Sequence, residues 1–187
     1  MRDHTSRALL IAVVLLPVLF ISGTAIYGGA VAVEGRTLDS IDFMDAAQND
    51  FEVVFFGYVG CSYICPTSLF KIGDVLDELK SADPTLSIGG HFVDVNAEAQ
   101  IQRANEYSLN FSKSIVGVNV DQEMLHGLRK EFGLNVFNTN RETDPITHTD
   151  HFFLMKKVEN GWTIARVLAN ETNKIIIKEA IEQEINL

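Results

Sequence analysis

The sequence predicts an α/β protein, a three-layer sandwich with a mixed central sheet, preceded by a hydrophobic amino-terminal helix. Apolar strand-like runs alternate with amphipathic helical segments through much of the chain, which is typical of parallel strands joined by helices. Two later strand-like runs flank Asn160-Gly161, a dipeptide that favours an antiparallel hairpin. A sheet that contains both kinds of pairing is mixed.

Length and charge limit the classes of protein that this chain can belong to. Its 187 residues are 47% hydrophobic, which fits one domain with an appendage and excludes a multidomain assembly. The chain has 15 basic and 25 acidic residues, for a net charge of −10. Nucleic-acid-binding proteins need a basic surface, so we expect no nucleic-acid partner.

The amino terminus has the pattern of a membrane or export signal. Residues 8–33 are an uncharged run of 26 residues that follows Arg2 and Arg7. About 20 residues in a helix cross the hydrocarbon core, so the run is long enough to be a membrane anchor. The alternative is a signal peptide cleaved after Ala30-Val31-Ala32, which matches a small-residue cleavage site.

Both alternatives divide the chain in the same way. We expect residues 1–33 to be the anchor or signal peptide and residues 34–187 to be the folded domain. The positive flank favours a cytoplasmic amino terminus, so the domain is expected in the periplasm or an equivalent non-cytosolic space. There it is either membrane-anchored or secreted after signal cleavage.

The first half of the domain predicts two strands, each followed by a helix. Phe51–Tyr58 is almost continuously β-branched and aromatic, as in a central strand buried on both faces. Pro66 suits the first turn of a helix, whose apolar spacing is clear from Thr67. Leu86–Val95 is a second predicted strand, and Ala97–Leu109 a second predicted helix.

The second half predicts a strand, a helix, a hairpin and a final helix. Ser114–Val118 is a short predicted strand, and Asp121–Phe132 has the apolar spacing of a helix. Phe152–Val158 and Trp162–Leu168 form the predicted antiparallel hairpin. Asn173–Ile185 is the last predicted helix.

Both cysteines, Cys61 and Cys65, lie in the loop between the first strand and its helix. Open α/β sheets usually place their chemistry at this edge, and a helix amino terminus lowers a thiol pKa. Residues four apart face the same way in a helical turn, so the thiols can address one metal or each other. Redox or metal chemistry is favoured over a structural disulfide, because closing so short a loop contributes only about 2 kcal/mol. Inert free thiols are the third alternative.

Two thiolates are soft ligands that suit Cu(I), and a neutral imidazole would complete a three-coordinate site. The chain has too few cysteines for a cysteine-only zinc site. The candidate imidazoles are His4, His91, His126, His148 and His151. The first precedes the hydrophobic run, the second is interpreted as a packed core residue in a strand, and the third lies on a solvated helix face. The last two lie in or beside a loop before a late strand, where a ligand is plausible.

Three motifs resemble the Sco/SenC family, thioredoxin-fold copper chaperones that assist the assembly of cytochrome c oxidase. The motifs are Gly57-Tyr58 with Cys61-x-x-x-Cys65-Pro66, Phe92-Val93-Asp94, and Ile146-Thr147-His148 followed by Phe152-Phe153-Leu154. The resemblance covers most of residues 35–187. It implies a thioredoxin-like fold and copper, as Cu(I) and also Cu(II), held by Cys61, Cys65 and His148. His151 is the second-choice ligand.

The resemblance also implies a role and partners. The leading interpretation is a metallochaperone that delivers copper to the binuclear site of the copper-A-bearing oxidase subunit, or to another copper acceptor, while its amino-terminal segment contacts the membrane. The alternative is an enzyme, a thiol-disulfide oxidoreductase in which Cys61 and Cys65 are the redox-active catalytic pair that reduces the acceptor's cysteines. A redox sensor or peroxidase is the third interpretation.

The sequence departs from the family pattern at two places. Val95-Asn96 follows Asp94 where the family commonly has Pro and charged residues, and Glu159-Asn160-Gly161 replaces a Gly-Pro-Asp-Gly turn. Neither departure changes a proposed ligand. Asp94 is expected near the cysteine loop, where it either tunes thiol protonation or caps the end of its strand.

Overall fold

The computed structural model describes residues 33–39, 41–46, 48–99, 103–137 and 146–186. The predicted amino-terminal helix lies outside the described residues, as does His4. Within the ranges given, no helix is both long enough and apolar enough to cross a membrane.

The described chain alternates short and long elements around one main sheet. In order, these are β1 (Thr37–Leu38), α1 (Asp42–Asp45), β2 (Phe51–Gly57), α2 (Ile64–Ala82), β3 (Ile88–Asp94), α3 (Ala104–Ser108), β4 (Ile115–Asn119), α4 (Gln122–Glu131), β5 (Val136–Phe137), β6 (Thr147–His148), β7 (Phe152–Val158), β8 (Gly161–Leu168) and α5 (Lys174–Ile185).

The main sheet is mixed, as predicted. Over the described residues it has six strands in the order β1-β8-β7-β2-β3-β4. Strands β2, β3 and β4 pair in parallel, whereas β2-β7, β7-β8 and β8-β1 pair antiparallel. A separate antiparallel pair joins β5 to β6. Strand β2 is therefore central, at the change from parallel to antiparallel pairing.

Side chains of β2 alternate between two cores, which gives the three layers. All seven residues of β2 are buried. Val53 and Phe55 pack with the apolar residues of α2 and α5, and Val54 and Phe56 pack on the opposite face with those of α1 and α4. The sequence could predict this strand because burial on both faces leaves it without polar alternation.

The structure confirms one predicted helix start and corrects the extent of another helix. Helix α2 begins at Ile64, so Pro66 lies in its first turn as predicted, and Cys65 lies in the same turn. The predicted helix Ala97–Leu109 is, within the described residues, helical only over Ala104–Ser108. It begins there because the Asn119 side chain, from β4, accepts a hydrogen bond from the Ala104 N–H at 3.2 Å.

The remaining boundaries follow from local capping and turn chemistry. Asp121 precedes α4 and accepts a hydrogen bond from the Met124 N–H, and Asn173 does the same for Ile176 at the start of α5. The predicted hairpin is confirmed. Gly161 closes its turn with φ 126°, a conformation that favours glycine.

A carboxyl group near the start of β2 and an imidazole in the middle of β3 lie buried together. Glu52 is 1% exposed and His91 is 4% exposed, so the predicted core position of His91 is confirmed. Asn49 Nδ2 donates a hydrogen bond to Glu52 Oε1 at 2.7 Å. Desolvation raises the pKa of Glu52 to about 7 and lowers the pKa of His91 to about 4.

The pKa of Glu52 predicts a pH dependence of stability. Its pKa of about 7 in the folded protein lies above its ordinary value of 4.5, so its stabilising contribution is complete below pH 4.5 and is lost as pH rises through 7. By linkage, ionisation of Glu52 lowers the free energy of unfolding by about 3 kcal/mol at most, and Glu52→Gln removes this loss. We expect the variant to gain free energy of unfolding, relative to the parent, between pH 4.5 and 8. Urea unfolding in metal-free buffer measures it.

The matched control is Glu179→Gln on the exposed surface of α5. This variant should change little between the two pH values. If Glu52→Gln shows the same small change as Glu179→Gln, the raised pKa of Glu52 is wrong.

Candidate functional site

The loop between β2 and α2 carries both cysteines at the carboxyl edge of the parallel strands. Gly60 has φ 105°, and the Cys61 N–H donates to the Tyr58 carbonyl at 3.3 Å, which closes a tight turn after β2. The turn leaves Cys61 half-buried. Cys65 follows in the first turn of α2 and is fully buried.

The amino terminus of α2 is directed at the sulfur of Cys61. The Cys65 N–H lies 3.4 Å from Cys61 Sγ. Burial opposes ionisation of Cys61, but hydrogen bonds from the N–H groups of Cys65, Tyr63 and Ile64 outweigh it and lower the pKa of this thiol. Cys61 is therefore the cysteine that more readily forms a thiolate.

Cys65 is held as a neutral thiol. Burial raises the pKa of Cys65 far above its ordinary value, and the negative charges of Cys61 and Asp94 raise it further. Its sulfur fits because Gly57 ends β2 without a side chain: a Cβ there would lie 2.9 Å from Cys65 Sγ. The two cysteines thus have different protonation and different access to solvent.

His148 faces Cys65 across this edge of the sheet. The short β5-β6 pair positions it, with His148 opposite Val136. Its Nδ1 lies 2.9 Å from the Thr149 carbonyl oxygen, which can only accept a hydrogen bond, so Nδ1 carries the proton. Nε2 then presents a lone pair 3.9 Å from Cys65 Sγ. Phe55 and Tyr58 contact the imidazole with their rings nearly perpendicular to it.

The structure therefore brings Cys61, Cys65 and His148 to one place, with Cys65 adjacent to each of the others. Throughout the part of the chain that the structure describes, no three His, Cys, Asp or Glu side chains are already arranged as a metal site.

The other histidines take separate positions. His151, the second-choice ligand, is half-buried beside Asp150, with 3.9 Å between His151 Nδ1 and Asp150 Oδ1. His126 is exposed on α4, as predicted, and His91 lies in the middle of β3 on the sheet face opposite Cys65. Among the described histidines, only His148 lies within hydrogen-bond range of a cysteine sulfur.

Asp94 is the buried end of β3 beside the cysteine loop. Its Oδ1 accepts a hydrogen bond from the Asn96 N–H at 3.0 Å, and Asn119 Nδ2 donates to Oδ2 at 3.4 Å. Burial raises the pKa of Asp94. The structure supports both roles that the sequence suggested for Asp94. Asp94 caps the end of its strand, and its negative charge raises the pKa of Cys65.

A polar bridge that the sequence did not predict ties the helix of Cys65 to the loop of His148. Ser68 of α2 donates a hydrogen bond to Asn170 Oδ1 at 2.7 Å, and Asn170 Nδ2 donates to Asp150 Oδ2 at 3.4 Å. Lys71 Nζ donates to the carbonyl oxygens of Asn170 and Thr172. Sequence alone carries no signal for contacts between residues 102 positions apart.

Comparison with known proteins assigns the family. The sequence pattern of the SCO1/SenC family matches residues 33–186. The chain belongs to the SCO1/SenC family. The mitochondrial SCO1 homolog 1 of Arabidopsis thaliana is 22% identical over 138 residues, which is 72% of this chain and 40% of the relative. Sco1 of Schizosaccharomyces pombe is 26% identical over 137 residues, or 68% of this chain and 50% of the relative. The chain thus spans half or less of these curated relatives.

Solved structures confirm the predicted thioredoxin-like Sco fold. The crystal structure of Arabidopsis thaliana ScoI with copper bound matches with a TM-score of 0.66 and 19% identity, covering 76% of this chain and 88% of the other. Yeast Sco1 with copper bound matches with a TM-score of 0.61 and 22% identity, covering 73% and 76%. At sequence identities this low, the similarity to these two structures shows a shared fold.

The pKa difference between the cysteines predicts their order of alkylation. In the reduced protein near neutral pH, iodoacetamide should modify Cys61 at least tenfold faster than Cys65, because Cys61 has the lowered pKa and the greater exposure. Peptide mass spectrometry after timed quenching measures both rates. Urea-unfolded protein is the control and should show similar rates. Equal rates in the folded protein would contradict the assignment.

The bridge through Asn170 predicts a coupling between the His148 loop and α2. Asn170→Ala removes both side-chain hydrogen bonds, and we expect amide hydrogen exchange of Thr149, whose N–H donates to the Asn135 carbonyl, to accelerate severalfold. The matched control is Asn110→Ala, whose side chain donates only local hydrogen bonds, to carbonyl oxygens of the preceding helix α3. Unchanged exchange in Asn170→Ala would show that the bridge does not hold the loop.

Proposed function

We propose that this protein binds copper through Cys61, Cys65 and His148 and delivers it to the binuclear copper site of an oxidase subunit during cytochrome c oxidase assembly. The observation that carries the proposal is the pairing of Cys65 Sγ with the unprotonated Nε2 of His148, at 3.9 Å, beside a thiolate-forming Cys61. Copper-bound structures among its relatives support the choice of metal.

The spacing of Cys65 and His148 suits a shared ion. A sulfur and a nitrogen bound to one metal in trigonal geometry lie about 3.7 Å apart if the bonds have the lengths seen at zinc. The observed separation of 3.9 Å is close to this value. Thiolate and imidazole are soft and intermediate ligands that favour Cu(I). The Thr149 carbonyl holds the imidazole in the tautomer that a metal needs.

The two thiols contribute differently to binding and release. Cys61 can offer a thiolate at once, whereas Cys65 must lose a proton as the metal binds. Cys61 is half-buried, and its neighbour Tyr63 is 76% exposed. An acceptor's ligands can therefore approach the ion from the Cys61 side and replace Cys61 first. Stepwise replacement lets the ion leave without ever losing all its ligands.

The partner and location belong to the same proposal. The acceptor is a copper-A-bearing subunit or another copper acceptor on the same face of a membrane. The uncharged run of residues 8–33 supports attachment through the amino-terminal segment, with the domain in the periplasm or an equivalent space. An anchor would keep donor and acceptor in one plane and raise the rate of encounter.

A second candidate function is reduction of the acceptor's disulfide, favoured by the pKa difference between the cysteines. The Cys61 thiolate attacks the acceptor disulfide, forms a mixed disulfide and releases one acceptor thiolate. Cys65 then loses its proton and attacks Cys61 Sγ, which releases the second acceptor thiol and leaves a Cys61-Cys65 disulfide. A dithiol reductant must restore the pair. A disulfide switch named for BsSco, a fold neighbour at 15% identity, supports this candidate.

The two candidates make different predictions for His148→Ala. Removing the imidazole should weaken Cu(I) affinity at least tenfold, because one of three ligands is lost, and should leave the Cys61-Cys65 reduction potential nearly unchanged. Anaerobic titration of the reduced full-length protein in mild detergent against a Cu(I) chelator measures the affinity, and equilibration with glutathione measures the potential.

Cys61→Ala and Cys65→Ala should each abolish competitive Cu(I) binding, and His126→Ala is the control that retains it. Equal Cu(I) affinity in His148→Ala and the parent would reject the ligand assignment. No competitive binding by the parent would reject copper delivery and leave disulfide reduction as the function.

A further inference from the structure

A second cluster of ligating groups lies on the sheet face opposite Cys65, at the amino-terminal half of β2 and the middle of β3. Glu52 of β2 and His91 of β3 project from neighbouring strands into a cavity of about 280 Å³. His91 lies three residues before Asp94, or about 10 Å at ~3.3 Å per residue. However, it pairs with Val54 and so shares the sheet face of α1 and α4, whereas Cys65 packs in the core on the opposite face. The cavity is therefore separate from the cysteine site.

Buried polar atoms at this cavity lack partners. Glu52 Oε2 and both ring nitrogens of His91 have no hydrogen-bond partner among the described residues, although Glu52 is 1% and His91 is 4% exposed. Native proteins seldom leave such atoms unsatisfied, because each costs about 1–3 kcal/mol. The arrangement therefore indicates a ligand for the pair.

The distance between the two groups suits a metal better than a hydrogen bond. His91 Nε2 and Glu52 Oε2 are 3.6 Å apart, whereas an N–H···O bond needs about 2.7–3.2 Å. A nitrogen and an oxygen bound to one tetrahedral metal, at bonds of about 2.1 Å, lie about 3.4 Å apart. Asn49 holds the carboxylate by donating to its other oxygen, and Phe43 packs edge-on against the imidazole.

Local features keep the space beside the carboxylate open. Gly89 lies opposite Glu52 in the β2-β3 register, and a Cβ there would fall 2.9 Å from Glu52 Oε2. Exposed Lys113 and half-exposed Val116 line the cavity, so it reaches solvent. Lys113 and Lys80 also oppose a cation, which limits the affinity and favours an anion or water in the remaining coordination positions.

From this geometry we propose that Glu52 and His91 form a second metal site, for a divalent transition-metal ion that accepts one carboxylate and one imidazole. Zn²⁺ and Cu²⁺ fit this ligand pair, whereas Cu(I) prefers the thiols. The site does not depend on copper binding by the cysteines.

The test uses Zn²⁺ and full-length protein in mild detergent. A background variant, Cys61→Ser/Cys65→Ser/His148→Gln, removes the proposed copper site, so that the two proposals fail separately. Calorimetric titration should show one Zn²⁺ bound per chain. Adding Glu52→Gln, or separately His91→Gln, should weaken binding at least tenfold, and adding His126→Gln, an exposed histidine, should leave binding unchanged.

A stability measurement guards against misfolded variants. Zn²⁺ should raise the unfolding midpoint of the background variant and should not raise it when Glu52→Gln is added, whose circular dichroism must match the background. The proposal is overturned if the background variant binds no Zn²⁺ at millimolar concentration. Equal binding in folded Glu52→Gln and in the background would overturn it as well.

Discussion

The packing of Cys65 against Gly57 is the constraint on which the site depends. Strand β2 must end in glycine, because a Cβ on Gly57 would lie 2.8 Å from the Phe92 ring and 2.9 Å from Cys65 Sγ. The space left by the missing side chain accommodates the fully buried sulfur of Cys65, which the first turn of α2 places at the carboxyl edge of the sheet. His148 can then reach the sulfur from β6. The core of the fold and the chemistry of the site thus share one contact.

The same helix terminus has opposite effects on its two thiols. Its N–H groups point outward to Cys61 and stabilise a negative charge there. Cys65 lies behind them, where desolvation dominates and a nearby carboxylate adds repulsion. One sulfur is therefore prepared to bind or attack, and the other enters the reaction only when a metal or a mixed disulfide draws it in. This asymmetry serves metal transfer and disulfide exchange equally well, so the imidazole is the group that separates the two.

Sequence reasoning succeeded where a signal is local. The central strand, the hairpin at Asn160-Gly161 and the capped helices each follow from residues close together in the chain. The grouping of Cys61, Cys65 and His148 came from a family motif, which carries long-range information that spacing lacks. Sequence reasoning failed for the start of α3, which depends on a side chain from β4 fifteen residues away. The Ser68-Asn170-Asp150 bridge was missed for the same reason.

His91 shows how a correct prediction can hide chemistry. His91 was predicted to be buried in a strand, and the structure confirms this. The parallel register also places Glu52 of the adjacent strand beside His91. That neighbour is invisible in a single sequence, because β2 and β3 are separated by a whole helix. Each pair, Glu52 with His91 and Cys65 with His148, is spaced too widely for a strong hydrogen bond and near the separation of two ligands on one ion.

The Glu52-His91 pair and the Cys65-His148 pair differ in the softness of their donor atoms, and this difference determines which metal ion each pair prefers. A carboxylate with an imidazole accepts borderline divalent ions, while thiolates with an imidazole select Cu(I). Oxidation of Cys61 and Cys65 to a disulfide would remove the thiolate ligands and leave the carboxylate site intact, since no sulfur is part of it. Divalent ions held between Glu52 and His91 therefore need not compete with copper at the carboxyl edge of the sheet, and the redox state of the cysteines controls only one of the two.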